Sequence, residues 1–194
     1  MKTLVINGSP KKKGTISILL KNIVSGIPQQ ENIEWVNVYD LNIKPCVGCM
    51  KCRQDGKCCL PKDDGHTIGE KIKNADNLII GTPTYWGDMS SQLKVLLERN
   101  VPVFIGKNKR GLPIPMQKGK KAIIATSCTT PYPFNFILPE SRGAINSVKK
   151  VLKYGGYKIT GTITKPGSKS NPKLKPGILK KTQKSGSKLL QKKK

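Results

Sequence analysis

Five of the chain's six cysteines crowd into one short stretch, at Cys46, Cys49, Cys52, Cys58 and Cys59. The first three read C-x2-C-x2-C, and Cys58 follows after five more residues. Thiolates at this spacing can curl round one iron–sulfur cubane, each meeting a different iron, while a fourth from a short loop completes the ligand set. Two other readings compete. Structural zinc sites more often pair two C-x2-C units from separated segments, and the thiols could instead do redox work without a metal. Cys59 can replace Cys58 as the fourth ligand. Lys44, Lys51, Arg53 and Lys57 surround the loop; their charge would offset a thiolate-bound centre and raise its potential. Cys128 stands alone, and a lone cysteine is usually buried filler.

Two other loops carry residues suited to binding. Gly8-Ser9-Pro10-Lys11-Lys12-Lys13-Gly14-Thr15 lies between an apolar run and a helical pattern. Backbone N–H groups in such a turn, with the positive end of the helix dipole, make an anion site. Ser9, Thr15 and Ser17 can hydrogen-bond a phosphate, and Lys11 to Lys13 add positive field. The loop is neither a Walker A sequence nor G-x-G-x-x-G. Further on, Thr82-Pro83-Thr84-Tyr85-Trp86-Gly87-Asp88 holds an aromatic pair between turn residues. A flat apolar wall with backbone donors is what an isoalloxazine ring needs. A third loop opens at Ser127-Cys128-Thr129-Thr130.

The elements that must position these loops are legible from periodicity. Apolar runs at 2–7, 33–38, 77–81, 121–127 and 157–164 read as strands. Between them, apolar residues at spacings of three and four predict helices over 15–27, 64–75, 90–100 and 143–154. Asp64 is the expected cap of the second of these, and Gly155-Gly156 stops the fourth. A last helix is expected over 176–190. Strands alternating with helices imply a parallel sheet covered on both faces. The expectation is an α/β, doubly wound, five-stranded parallel sheet of order 2-1-3-4-5. Such sheets bind ligands at the carboxyl ends of strands one, three and four, where the strand order reverses, and the special loops fall there.

The chain has 194 residues, which suits one domain with a sizeable core. That domain is expected over 1–165, with the cysteine loop 45–61 inserted after the second strand, and 166–194 forms a Lys-rich segment. Net charge is +25, and no acidic residue follows Glu140. The basic residues are nearly all Lys, spread along the chain without a recognisable nucleic-acid module, so nucleic acid is not the expected partner. No apolar run spans a membrane and no secretory signal is visible. Six cysteines without an export signal place the expected location in the cytoplasm.

Gly8-Ser9-Pro10, the stretch from Pro83 to Ser90 with Gln92-Leu93-Lys94 after it, and the cysteine loop together resemble the NADPH-dependent FMN reductase superfamily. Within it the chain most resembles the iron–sulfur flavoproteins of anaerobes. The resemblance covers residues 1 to about 165. It implies a flavodoxin-like fold, FMN as cofactor, a 4Fe-4S cluster on Cys46, Cys49, Cys52 and Cys58, and a homodimer or dimer of dimers. It also implies that Ser9, Lys11, Thr15 and Ser17 hold the phosphate. Pro83, Thr84, Tyr85, Trp86 and Gly87 would face the ring, and Ser127 would help close the site. One motif departs from the family: Gly-Asn-Thr-Ser is replaced by Gly14-Thr15-Ile16-Ser17. The implied activity is electron transfer between an acidic, ferredoxin-like carrier and an acceptor through cluster and FMN. The alternatives are an NAD(P)H-dependent FMN or quinone reductase without a cluster, and a basic scaffold that kept the fold alone.

Overall fold

The computed structural model describes residues 1–28, 32–169 and 173–189. Along the chain, β1 (Lys2–Asn7), β2 (Asn32–Asn37) and β3 (Asn77–Pro83) precede a short hairpin, β4 (Ile105–Lys107) and β5 (Pro113–Pro115). The last strands are β6 (Lys121–Ser127) and β7 (Lys158–Lys165). The main sheet is parallel throughout and runs β2-β1-β3-β6-β7, the flavodoxin-like 2-1-3-4-5 order once the hairpin is set aside.

The period-two alternation of each strand builds two cores. Leu4, Ile6, Leu78, Ile80, Ala122 and Ile124 face one side of the sheet, and Val5, Ile79, Ile123, Ala125 and Ile163 face the other. Both faces are dry because helices cover both, so the central strands need no polar face. The first side takes α3 (Asp64–Asn74), α4 (Ser91–Arg99), the single turn α5 (Val101–Phe104) and α7 (Glu140–Gly155). The second takes α1 (Thr15–Val24) and α8 (Pro176–Lys188), with Ile16, Leu19, Leu20, Ile23 and Leu189 buried between. Helix α8 packs on α1 and the turn that follows it through two glycines. A Cβ on Gly186 would strike the Ile23 carbonyl, and one on Gly26 the Gln183 carbonyl.

Several sequence expectations are corrected. The N-cap of α3 is Asp63 rather than Asp64: its extended backbone lets the carboxylate accept from Gly65 N–H, and His66 Nδ1 reaches back to the Asp63 N–H in a capping box. Helix α7 begins at Glu140, three residues before its expected start, and the β4–β5 hairpin was not expected, its strands being only three residues each. Expected Leu190 of the last helix lies outside the described residues. Among the described residues no helix is long and apolar enough to cross a membrane.

Candidate functional site

The sheet register brings the expected loops to one edge. Asn7 ends β1 opposite Gly81 of β3, and Pro83 ends β3 opposite Ser127 of β6. At the first loop, buried Asn7 is the organiser, and sequence reading missed it because an asparagine at a strand end looks like an ordinary turn residue. Its Nδ2 donates to Ser17 Oγ at 3.1 Å and to Asn37 Oδ1 at 3.0 Å, and its Oδ1 accepts from Ser9 N–H at 3.1 Å. Ser9 Oγ then accepts the Lys11 N–H at 3.2 Å, and Ser17 Oγ donates to Lys11 C=O at 3.3 Å. Ser9, Lys11 and Ser17 are thereby tied together over the start of α1, with Thr15 at its first position. Helix α1 has Gly14 at its N-cap, no capping side chain and no acidic residue in its first turn. Its positive end is therefore left to an anion.

The second loop is pinned from three sides. Thr84 N–H donates to Ser127 C=O at 2.9 Å, and Ser90 Oγ donates to Gly8 C=O at 2.6 Å. Tyr85 and Asp88 exchange backbone hydrogen bonds of 3.0 and 2.9 Å, closing a two-residue turn. Both central residues are left-handed, Trp86 at φ 51° and Gly87 at φ 74°, as a type I′ turn requires. A tryptophan there costs about 1–2 kcal/mol against glycine, a strain of the kind that marks functional sites. The turn sets Tyr85 half-exposed and Trp86 fully exposed, so neither ring is core filler. Asp88 carries the turn into α4. Its Oδ1 accepts from Met89 N–H at 2.7 Å and its Oδ2 from Lys94 Nζ at 3.1 Å. Burial works against its charge, but Ser147, Met89 N–H and Lys94 hold its pKa below the usual range.

The cysteine loop leaves a 3-10 turn, Val38–Asp40, after β2. Gly48 and Met50 are left-handed, at φ 66° and 61°. These two turns alternate with Cys46, Cys49 and Cys52 and bend the backbone round them. A single helical turn, α2 (Cys52–Asp55), ends at left-handed Gly56 and returns the chain. All five cysteines line one cavity of about 110 Å³, together with Arg53, Glu98, Arg99 and Val101. None of the five is paired in a disulfide; Cys46, Cys49 and Cys59 are exposed, and Cys52 and Cys58 half-buried. Cys49 and Cys59 sulfurs lie 3.4 Å apart. A backbone hydrogen bond at Lys51, then Cys59, lowers the pKa of Cys49, while burial raises that of Cys52. Among the described residues no three donors converge on a single metal ion. Cys128 is buried against Ser141 Oγ at 3.0 Å, as filler would be.

Arg99 was not singled out in the sequence, where it reads as one more basic residue at a helix end. Its side chain is only 1% exposed and pairs with Asp63 Oδ2 at 2.7 Å. Burial pushes the Asp63 pKa up, but Arg99, the Lys44 N–H and His66 outweigh it and bring it down to about 2. His66 is the capping partner of Asp63, a structural role, with Nε2 3.4 Å from Cys58 C=O.

Comparison with known proteins follows the same lines. Residues 1–127 match the family described as NADPH-dependent FMN reductase. An iron–sulfur flavoprotein of Methanocaldococcus jannaschii is 32% identical over 175 residues, 88% of this chain and 88% of its own. Another, from Archaeoglobus fulgidus, is 39% identical over 101 residues, 52% of this chain and 49% of its own. The FMN-dependent NADH-azoreductase of Bacillus anthracis, solved with FMN, superposes with a TM-score of 0.70 over 96% of both chains. At 16% identity that likeness is one of fold. The chain belongs to the NADPH-dependent FMN reductase family, within it to the iron–sulfur flavoproteins, and is an FMN-dependent oxidoreductase.

Proposed function

We propose that this chain passes electrons between an acidic, ferredoxin-like carrier and a small acceptor, with FMN on the three sheet-edge loops and a 4Fe-4S cluster on Cys46, Cys49, Cys52 and Cys58. The observation that carries the reading is the pairing of two built sites, an uncapped α1 facing the Ser9–Ser17 network and a cavity lined by five thiols. When bound, FMN takes electrons singly or in pairs and the cluster takes them singly, so together they convert between one- and two-electron partners.

The chain's own residues supply binding, orientation and field. Ser9, Lys11, Thr15 and Ser17 would hold the phosphate at the positive end of α1. Pro83, Thr84, Tyr85, Trp86 and Gly87 would face the ring, and Ser127, buried beside Thr84, would close the edge. At the cysteine cavity the donor set suits iron and sulfide, since thiolates are the ligands such clusters take. Lys51 and Arg53 act electrostatically on Cys49 and Cys52. Exposed Lys51 and half-buried Arg53 leave a basic rim that an acidic carrier can approach, with an on-rate that falls as salt rises. Cysteines outside disulfides suit the reducing cytoplasm. A homodimer or dimer of dimers is supported by exposed Trp86, Phe134, Ile137 and Leu138, brought near one another because Gly87 lies against Pro139.

The test is an absorbance spectrum of protein purified without oxygen, with FMN, iron and acid-labile sulfide counted per chain. FMN with about four irons supports the reading. FMN without iron after anaerobic reconstitution overturns the cluster and leaves an NAD(P)H-dependent FMN or quinone reductase, recognised by flavin bleaching with NADPH. A colourless protein that takes up no FMN overturns both and leaves a scaffold.

A further inference from the structure

Arg99 ties together parts of the chain that sequence keeps far apart. Its Nη1 donates to Lys44 C=O at 2.6 Å and to Asp63 Oδ2 at 2.7 Å, and its Nη2 donates to Asp63 Oδ1 at 3.1 Å. Lys44 lies just before Cys46, and Asp63 just after the Cys58-Cys59 pair. One guanidinium therefore holds both arms of the cysteine loop. The clamp is doubled, because Lys44 N–H donates to the same Asp63 Oδ2 at 3.2 Å and Asn42 N–H donates to Asp64 Oδ2 at 2.7 Å.

The same side chain faces the thiols. It lines the cysteine cavity, and its Nε is buried without a hydrogen-bond partner among the described residues. Arg99 and Cys58, without Cys59, also line a second cavity beside α3 together with His66. Cys58 is also held from behind, through His66 Nε2 at its carbonyl. Cys59 has the opposite surroundings, exposed and turned toward Cys49.

We propose that Arg99 is the positioning residue of the cysteine site, fixing Cys58 rather than Cys59 as the fourth cluster ligand and placing a buried positive charge beside it. The inference rests on the cluster reading above. The planar fork matters because it meets a carboxylate and a carbonyl at once, which an ammonium on a flexible stem does not reproduce. The charge matters because a buried cation lowers the cost of adding an electron to a centre ringed by thiolates, raising its potential.

The experiment compares anaerobically reconstituted wild type with R99K, R99M, C58S and C59S. Four quantities are read: FMN per chain, iron per chain, iron retention against a chelator, and the midpoint potential of the cluster. C59S is expected to hold iron like wild type and C58S to lose it. R99M keeps FMN, releases iron roughly tenfold more readily, and shows a more negative cluster potential. R99K keeps the charge, so it recovers the potential while retaining iron less firmly than wild type. If R99M does not fold, R99K and the cysteine pair decide. An iron-loaded wild type whose potential and retention are unchanged in R99M, or equal iron in C58S and C59S, overturns the inference and leaves the cluster standing. Wild type without iron overturns the cluster reading and this inference with it.

Discussion

Asn7 Nδ2 donates to Ser17 Oγ at 3.1 Å, joining the last residue of β1 to the first turn of α1 across ten residues of chain. Through that bond the strand end, the basic loop and the helix start become one rigid piece. Removing the hydroxyl frees the loop at the point where the phosphate contacts are expected. In S17A the fold persists and stability falls by about 1 kcal/mol, the net worth of a buried hydrogen bond. FMN affinity falls about tenfold, corresponding to ~1.4 kcal/mol. Urea denaturation and fluorescence titration with FMN measure the two effects; unchanged affinity would remove Ser17 from the binding network.

Gly143 makes a second such joint. A Cβ there would drive into the Gly87 carbonyl oxygen, in the left-handed turn that presents Trp86. G143A must therefore push the turn away from α7, at a cost of about 1–3 kcal/mol typical of overpacking. The expected result is weaker FMN binding with little change in far-UV circular dichroism, since neither α7 nor the sheet depends on the contact.

The exposed ring itself reports on occupancy. The chain has two tryptophans; Trp86 is on the site loop after β3, and Trp35 is on the edge strand β2, two strands away from β3. FMN titration should quench the emission of Trp86 far more than that of Trp35. In W86F most of the quenching amplitude disappears; an undiminished amplitude would mean that the ring of Trp86 does not approach the flavin.

Asp63 makes stability depend on acid pH. Its carboxyl titrates at about 2 in the folded chain against an ordinary 3.8. A depressed folded pKa contributes stability that is fully present above the unfolded value and is lost as pH falls through the folded one. The contribution is roughly 2 kcal/mol, disappearing between about pH 4 and pH 2. D63N should be less stable at pH 7, with a buried Arg99 left uncompensated, and its stability should fall less steeply over that acid window. Chemical denaturation at several pH values gives both slopes.

Much of this protein was determined by sequence alone, because its signals are local. Alternating strands and helices with apolar residues at periods of two and near 3.6 specify a doubly wound sheet, and that topology places the loops after strands one, three and four at one edge. Gly8-Ser9-Pro10, the Pro83–Ser90 stretch and C-x2-C-x2-C are contiguous motifs, so their residues could be named before any fold was known. The elements missed have weak local signals. The β4–β5 hairpin is three residues on each side, and Asp63 and Asp64 are equivalent as caps until backbone conformation distinguishes them. Only tertiary structure could reveal Arg99, because its partners Lys44 and Asp63 lie 55 and 36 residues away. Nor could periodicity show that Asn7 organises the first loop, or that Cys58 and Cys59, adjacent in sequence, face different neighbours. Those assignments depend on burial and on which distant groups the packed helices bring within hydrogen-bonding reach, and neither is encoded at a fixed spacing along the chain.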